Sequence, residues 1–231
     1  MNNEKGHLHP ITQVSREIFE IFREIGFDIA EGPEIETEYY NFDTLNIPAD
    51  HPARDMWDTF WLKPLEAKKL LRTHTSPVQI RYMEKNKPPI KIIAPGKVYR
   101  NEATDSTHEA QFYQLEGLVV GEKVSLADLK GTLKYFFEKF LGDKVDIRFR
   151  PSFFPFVEPG VEVDIEFKGK WIEVMGAGMV HPKVLASAGL HPEKYKGFAF
   201  GAGIDRLVMS RFGIPDVRML YSGDLRLINQ F

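Results

Sequence analysis

The chain has 231 residues, a formal net charge of −3 and no cysteine, which predicts one domain and excludes disulfides and thiolate metal sites. No apolar run approaches the ~20 residues of a membrane span, and the N-terminus has no apolar signal region, so we expect a cytoplasmic protein without a membrane role. A protein that holds nucleic acid mainly by itself usually carries an excess of Lys and Arg, and this chain does not.

The first predicted element is an amphipathic helix from Pro10 to Gly26. Proline suits the first helical turn, apolar residues recur at helical spacing, and glycine suits the position just past a helix end. From Phe27 to about Leu65 the pattern is irregular, with proline and glycine breakers.

Strands dominate the rest of the chain. Two further helices are expected at Ser125–Leu141, with a box-like Ser125 and Asp128 cap, and at Ile204–Phe212, and a shorter one follows His181. Alternation and turn residues predict strands at Ile90–Val98, Gln111–Val120, Val145–Arg150, Val161–Phe167 and Trp171–Met175. Strands that meet through short turns favour an α+β domain, with a mainly antiparallel sheet flanked by helices.

Two stretches carry the clearest chemical signal. In Gly197-Phe-Ala-Phe-Gly201-Ala-Gly203-Ile-Asp205-Arg206 a strand breaks into spaced glycines and opens a helix with an early arginine. A helix N-terminus favours anions, and an arginine there adds a planar fork for phosphate. Upstream lies Lys97-Val-Tyr-Arg100-Asn-Glu102, followed by the run His108–Gly117. Either stretch alone is an ordinary turn or surface ion pair, and only their combination in one chain favours a site.

Together these stretches resemble motifs 2 and 3 of class II aminoacyl-tRNA synthetases. Further blocks, in order from about Gly6 to Phe231, look like bacterial-type phenylalanyl-tRNA synthetase α subunits: Gly32-Pro-Glu-Ile-Glu36, His51-Pro-Ala-Arg54-Asp-Met-Trp57-Asp-Thr-Phe60, Arg72-Thr-His74-Thr-Ser76-Pro-Val-Gln79, Phe154-Pro-Phe156-Val-Glu158-Pro and Gly176-Ala-Gly-Met-Val-His181-Pro. The resemblance implies the class II synthetase core fold, which agrees with the α+β domain expected from the strand pattern.

The implied activity is that of an ATP- and magnesium-dependent aminoacyl-tRNA ligase in protein biosynthesis. Phenylalanine is activated as its adenylate and the aminoacyl group then passes to tRNA(Phe). The implied partner is a β subunit in an α2β2 heterotetramer. The aromatic-rich stretch Glu34–Phe42 corresponds to a subunit interface in this family, and its alternative role is to cover the chain's own core.

For ATP, the resemblance assigns catalytic roles to two arginines. Arg100 is expected to bridge the α-phosphate and the substrate carboxylate, and Arg206 to hold the γ-phosphate. Glu102 is expected to bind the adenine amino group and Phe112 to stack on adenine. His108 is placed near the β- or γ-phosphate, and Gly201 and Gly203 allow close approach of the nucleotide.

For phenylalanine, the ammonium group needs acceptors and the ring needs an apolar slot. Gln114 and Glu116 share a strand face with Phe112, and the family's substrate-binding loop supplies another group of polar residues. Phe154 and Phe156 are expected to share a strand face and meet the ring edge-to-face, although core packing is the plainer role for both. The remaining expected contacts are Trp57, His74, Ser76, Gln79 and Ala199.

Glu158 is the candidate magnesium ligand, because Mg²⁺ in nucleotide sites typically takes one or two carboxylates together with phosphates and water. Its alternative is an ordinary loop acid. Glu162 and Asp164 share a strand face and are weaker candidates.

Two departures from the family pattern stand out. The residue before the motif 3 arginine is Asp205 where the family usually has Glu, which keeps the charge on a shorter side chain. Only five residues precede Gly6, where bacterial-type α subunits usually carry a long helical coiled-coil arm. We therefore expect residues 1–231 to form a single catalytic domain without that arm. Two other readings remain open: a regulatory protein that binds phenylalanine or adenylate, and a sister ligase acting on biotin or lipoate.

Overall fold

The computed structural model describes residues 6–49, 59–167 and 169–231. Helices lie at α1 Pro10–Glu24, α2 Glu38–Asn41, α3 Ser76–Lys85, α4 Leu126–Leu141, α5 Pro182–Ser187, α6 Ile204–Phe212 and α7 Leu225–Ile228, with 3₁₀ turns at Asp43–Leu45, Leu65–Ala67 and Val217–Leu220. Strands lie at β1 Asp28–Ile29, β2 Ile35–Thr37, β3 Lys69–Leu71, β4 Ile90–Tyr99, β5 Gln111–Gly121, β6 Ile147–Pro151, β7 Val157–Phe167, β8 Lys170–Val180 and β9 Lys196–Gly203.

A seven-stranded sheet in the order β1-β4-β5-β9-β8-β7-β6 forms the centre of the fold. The short β1 pairs with β4 in parallel, and the other neighbouring strands in this sheet pair antiparallel. Strands β2 and β3 form a separate two-stranded antiparallel sheet. The predicted α+β fold, a mainly antiparallel sheet flanked by helices, is confirmed.

Apolar side chains fill both faces of the seven-stranded sheet. One cluster packs α1, α4 and α6 on one face and contains Phe198 and Phe200 of β9. The other cluster lies on the opposite face, where it includes Ala199 and residues of α3 and α5. Successive side chains of a strand point to opposite faces of the sheet. The small residue Ala199 therefore lies on the face opposite Phe198 and Phe200.

Local signals located several helices accurately. Helix α6 has the predicted bounds, and α4 begins with the reciprocal Ser125 and Asp128 capping box. Helix α1 begins at Pro10, and Gly26, just past its end, has φ +80°. The short helix α5 follows His181, whose side chain caps it.

Three sequence expectations need correction. Ser76 and Gln79, expected in a substrate-binding loop, lie in the first turn of helix α3. Strands β7 and β8 extend several residues beyond the predicted ends, across Pro159 and across Gly178. Phe154 and Phe156 do not share a strand face, because they lie in the tight turn between β6 and β7. No helix among the described residues is both long and apolar enough to cross a membrane.

Candidate active site

Two neighbouring cavities open on the face of the sheet that carries Ala199. The inner cavity, of about 270 Å³, is lined by His74, Ser76, Gln79, Arg100, Gln114, Glu116, Phe154, Phe156, Val157, Gly176, Ala177, Ala199, Phe200 and Gly201. The outer cavity, of about 230 Å³, is lined by Arg100, Glu102, Thr107, His108, Glu109, Phe112, Gln114, Gly203, Asp205, Arg206 and Val217. Arg100 and Gln114 line both, so the two cavities meet at these side chains.

Strand β5 supplies a row of side chains that runs from one cavity to the other. Phe112 lines the outer cavity, Gln114 lines both, and Glu116 lines the inner one. Alternate residues of a strand share a face, so this row follows from the sequence spacing. In β9, Gly203 pairs with Gln114 and Gly201 with Glu116.

Small residues in β9 keep the floor of the inner cavity open. A Cβ atom at Gly201 would lie 3.1 Å from Cγ of Glu116 and 3.3 Å from Nε2 of Gln114. A side chain there would press on two polar residues of the cavity. Of the two glycines predicted to approach ATP, Gly201 lines the inner cavity and Gly203 lines the outer one.

The first turn of α3 brings polar groups against Glu116. Gln79 Nε2 donates a 2.7 Å hydrogen bond to Glu116 Oε2. Burial raises the pKa of Glu116 to about 7, although hydrogen bonds from Ser76 and the Thr75 backbone, together with the charges of Arg100 and Arg72, oppose the rise. The carboxylate is therefore poised to gain from a cationic ligand, which would stabilise its charged form.

His74 and two phenylalanines complete the inner cavity. Burial, reinforced by the charge of Arg100, lowers the pKa of His74 to about 3, so the imidazole is neutral near pH 7. The rings of Phe154 and Phe156 are stacked with centroids 6.1 Å apart. The His74 and Phe156 rings lie 6.4 Å apart. These rings form an apolar wall beside the polar group around Glu116.

Arg100 is held at the junction of the cavities. Its Nε donates a 3.1 Å hydrogen bond to the carbonyl oxygen of Thr73, and its guanidinium lies 5.1 Å from the centroid of the Phe112 ring. Burial lowers its pKa, which the charges of Glu102 and Glu116 oppose. An arginine stays charged under these conditions, so a fixed cation stands where the two cavities meet. Gln114 Oε1 beside it is buried and finds no hydrogen-bond partner among the described residues.

The outer cavity carries more exposed charge. Arg206 is exposed in the first turn of α6 and forms no hydrogen bond or ion pair within the ranges that the structure describes. His108 lies in the loop between β4 and β5, where its Nδ1 is 3.0 Å from the Asp105 carboxylate. An unpaired guanidinium in the first turn of a helix suits a polyphosphate.

Sequence reasoning missed several residues that line the cavities or support them. Arg72, two residues before His74, is buried, and it donates through Nε to the Lys97 carbonyl at 2.8 Å and through Nη1 to the Gly32 carbonyl at 3.0 Å. It thereby fixes the backbone that leads to His74. Arg72 opens the block Arg72–Gln79, and that position could have marked it as important. Nothing in the sequence pattern marks Thr107, Glu109 or Val217, which line the outer cavity.

Of the predicted site residues, one described residue lines neither cavity and another falls in a range that the structure does not describe. Trp57 lies outside the described residues. The side chain of Glu158 is 74% exposed, its Oε2 lies 3.3 Å from Nε2 of His181, and it lines neither cavity. Glu162 and Asp164 pair with Arg150. No group of three His, Asp or Glu side chains in the described ranges is placed to hold a metal ion.

Comparison with known proteins gives one consistent family. The whole chain, residues 1–231, matches the family described as tRNA synthetases class II core domain (F). It is 56% identical over 229 residues to the phenylalanine–tRNA ligase alpha subunit of Psychrobacter arcticus, covering 99% of this chain and 64% of that protein. It is 54% identical to the same subunit of Dehalococcoides mccartyi, covering 98% of this chain and 70% of that protein. The alpha subunit of Caldanaerobacter subterraneus is also 54% identical, with 98% of this chain and 69% of that protein covered.

The chain thus spans roughly two thirds of the length of these relatives. Among solved structures, the pyrrolysyl-tRNA synthetase of Desulfitobacterium hafniense superposes with a TM-score of 0.71 at 21% identity, covering 94% of this chain and 74% of that one. At this identity the likeness concerns the fold.

Proposed function

The chain belongs to the class II tRNA synthetase core family, among the phenylalanine–tRNA ligase α subunits, and we propose that it is the catalytic domain of such a ligase. It activates L-phenylalanine with ATP and passes the aminoacyl group to tRNA(Phe). The inner cavity takes phenylalanine and the outer cavity takes ATP.

The observation that carries this proposal is the position of Arg100, which lines both cavities. Amino-acid activation requires the carboxylate of one substrate to meet the α-phosphate of the other, and both groups are anionic. A planar guanidinium can bind two such oxygens at once. Arg100 therefore relieves the repulsion between the substrates and stabilises the charge that develops as they react.

The reaction proceeds by displacement at phosphorus. A carboxylate oxygen of phenylalanine bonds to the α-phosphorus, the bond from that phosphorus to the oxygen bridging the β-phosphate breaks, and pyrophosphate leaves. In the second step a terminal hydroxyl of tRNA attacks the carbonyl carbon and AMP leaves. Such chemistry depends mainly on positioning and charge neutralisation.

The polar group of the inner cavity suits the ammonium of phenylalanine. Glu116 offers a buried carboxylate, and Gln114 Oε1 is a buried acceptor without a partner in the described ranges. An ammonium donates three hydrogen bonds and needs such acceptors. The substrate ring then lies against Phe154 and Phe156, with Ala199 at the floor of the slot.

The outer cavity suits a nucleoside triphosphate. Phe112 offers an aromatic face to adenine and Glu102 an acceptor for its amino group. Arg206 and His108 bind the phosphates. Magnesium fits this site as an ion that arrives with ATP, because its shell then consists mostly of phosphate oxygens and water. Glu102 and Glu109 are the carboxylates of the outer cavity that would contribute to such an ion, and Glu158 stays a prediction without support from the cavity geometry. When bound, the ion neutralises phosphate charge.

Partners are part of the same proposal. Within the stretch Glu34–Phe42, Phe42 is buried in the chain's own core, whereas Ile35 is 53% and Tyr39 51% exposed. The core role therefore holds for Phe42 and, in part, for Tyr40, which packs against the same cluster, whereas Ile35 and Tyr39 are available to a second subunit. With a net charge of −3, most of the affinity for tRNA is expected on a β subunit, in an α2β2 assembly.

Phenylalanine-dependent exchange of pyrophosphate into ATP tests the proposed activity. We expect exchange with phenylalanine and none with biotin or lipoate, measured for this chain alone and with a β subunit. Absence of exchange in both preparations would overturn the assignment. A mass that stays monomeric at tens of micromolar, with and without the β subunit, would overturn the proposed assembly.

A further inference from the structure

The segment Asp216–Tyr221 borders the outer cavity, although its sequence carries no recognisable motif. It contains the 3₁₀ turn Val217–Leu220, and Asp216 caps that turn through its side chain. Val217 is buried and lines the outer cavity. The segment is therefore a wall of the cavity that we assign to ATP.

One end of this segment holds the loop between β4 and β5. The backbone N–H of Val217 donates a 2.9 Å hydrogen bond to the carbonyl oxygen of Ser106. That loop carries Thr107 and His108, which line the outer cavity. Its side chains are mostly exposed, so a backbone bond at its tip restricts where His108 lies.

The other end of the segment holds the start of α6. The Tyr221 hydroxyl donates to Asp205 Oδ1, and the backbone N–H of Tyr113 donates to Asp205 Oδ2 at 2.8 Å. Asp205 is 3% exposed and directly precedes Arg206. Its carboxylate therefore joins three elements: the first turn of α6, strand β5 beside Phe112, and the segment Asp216–Tyr221.

The electrostatics make the tyrosine more than a packing residue. Burial raises the pKa of Asp205, and the hydrogen bonds from Tyr221 and Tyr113 oppose that rise. Burial and the neighbouring carboxylate raise the pKa of Tyr221, so its hydroxyl remains a donor. Without this donor, one oxygen of a buried carboxylate loses its partner, which is costly.

We propose that the segment Asp216–Tyr221 positions the triphosphate-binding groups: Tyr221, through Asp205, sets the first turn of α6 for Arg206, and Val217 sets the β4–β5 loop for His108. The inference deepens the proposed function, since it concerns the affinity of the outer cavity for ATP. Tyr221 acts as a positioning residue and touches no substrate.

Tyr221→Phe removes the hydroxyl alone. We expect the dissociation constant of ATP, measured by calorimetry on the whole chain, to rise roughly tenfold, while that of phenylalanine changes by less than about twofold. The matched control is Tyr135→Phe, which deletes a hydroxyl that donates to the exposed Glu24 at 2.7 Å. This control should bind both ligands as the parent does.

A double-mutant cycle shows whether Tyr221 acts through Asp205. Asp205→Asn keeps the size of the side chain and removes its charge. If the two residues form one unit, Tyr221→Phe in the Asp205→Asn background should weaken ATP binding far less than in the parent. Equal losses in both backgrounds would contradict the coupling.

Val217→Pro tests the other end of the segment. Asp216, with φ −143° and ψ 121°, is in the extended conformation that a following proline requires, and the first position of a helical turn tolerates proline. The substitution removes the N–H that reaches Ser106. The control, Val217→Ala, keeps that N–H and trims the side chain. We expect ATP binding to weaken several-fold more in the proline variant than in the alanine variant.

The outcomes separate this inference from the proposed function. If the parent chain binds ATP and Tyr221→Phe binds it equally well, the positioning role is wrong and the proposed function stands. A parallel loss of ATP and phenylalanine binding would assign Tyr221 to general stability and overturn the inference. A parent chain that does not bind ATP overturns both.

Discussion

The inner and outer cavities share Arg100 and Gln114 but are built in different ways. The inner cavity is assembled from strands and the first turn of a helix, and its polar residues His74, Ser76, Gln79 and Glu116 are all buried. The outer cavity depends on a loop and a helix start, and its basic side chains Arg206 and His108 are exposed. Most polar groups of the inner cavity are thus buried before any ligand arrives, whereas the basic groups of the outer cavity face solvent until a ligand binds.

This difference predicts where affinity and rate arise. Buried polar groups are costly when unpaired, so the inner cavity should discriminate sharply between ligands. Exposed charges are screened by water and salt, so each contact in the outer cavity is worth less. The residue at the junction serves both substrates and should have the largest effect.

Arg100→Ala should therefore give the largest loss. Removing a charge-assisted contact from a water-excluded site costs roughly 3 kcal/mol, about a hundredfold in rate. The rate of phenylalanine activation should fall by that factor, with a much smaller change in phenylalanine affinity. Pre-steady-state adenylate formation and phenylalanine binding, measured on the same preparation, separate the two. Activation at the parent rate would show that Arg100 is not the junction residue of the reaction.

Glu116→Gln should come next. A buried carboxylate that receives an ammonium loses a charged hydrogen bond when it becomes an amide, at about 2 kcal/mol, or roughly thirtyfold in phenylalanine affinity. Gln79→Ala is the companion variant, because it removes only the donor that orients Glu116 and should cost less. A Glu116→Gln protein with parent affinity would place the ammonium elsewhere.

The same carboxyl predicts opposite pH trends for binding and stability. Because burial raises its pKa from 4.5 to about 7, the folded, unliganded protein binds this proton more tightly than the unfolded chain does. Its contribution to stability is present at low pH and is lost as pH rises through 7. Phenylalanine binding instead needs the carboxylate and should strengthen from pH 6 to pH 8. The pKa of His74, about 3, keeps that residue out of this range.

Thermal unfolding of the unliganded protein and phenylalanine titrations across pH 5–8 measure both trends. In Glu116→Gln both should flatten. If the pH dependence of phenylalanine affinity persisted in that variant, another group would be responsible for it.

Arg206→Ala should have a smaller effect, confined to the outer cavity. Its exposed guanidinium contributes about 1.4 kcal/mol, roughly tenfold in ATP affinity, and less at high salt. Phenylalanine binding should not change. Lys91→Ala, on an exposed part of β4 and outside both cavities, is the matched loss of one positive charge. Equal ATP affinity in the parent and in Arg206→Ala would remove this residue from the site.

The two regions also differ in how far the sequence predicts them. The row Phe112, Gln114 and Glu116 follows from strand alternation alone, and α6 has end signals that are purely local. The sequence pattern does not predict helix α3, because the residues of its first turn that face inward are polar and line a cavity. The apolar stripe that usually marks a helix is therefore interrupted. The residue that precedes α3, Thr75, also makes no side-chain cap.

Strands β7 and β8 were predicted too short for a tertiary reason. Glycine and proline weaken strand propensity, yet Gly178 is needed because a Cβ there would lie 2.4 Å from the Pro159 carbonyl oxygen. At Gly176 a Cβ would lie 2.9 Å from the Phe154 ring. These glycines leave room for the turn that carries the aromatic wall. Neither that requirement nor the hydrogen bond from Val217 to Ser106 can be read from neighbouring residues in the chain.

Ala199→Gly should change phenylalanine activation least, by less than about threefold, since it removes one methyl from the floor of the inner cavity. The residue is 7% exposed and lies opposite Leu118 on one side and Gly178 on the other, so on the β8 side no side chain stands directly opposite to fill the space that the methyl leaves. If Ala199 bounds the far end of the substrate ring, its removal should admit para-chlorophenylalanine with a gain of about tenfold in kcat/KM, the lower range for one methylene in an apolar pocket. Ala177→Gly is the matched control. Ala177 also borders the cavity, from β8, but its methyl group packs in the cluster on the opposite face of the sheet, so the substitution removes a methyl group without lengthening the slot. No gain in Ala199→Gly, or an equal gain in both variants, would mean that the Ala199 methyl does not set the length of the slot.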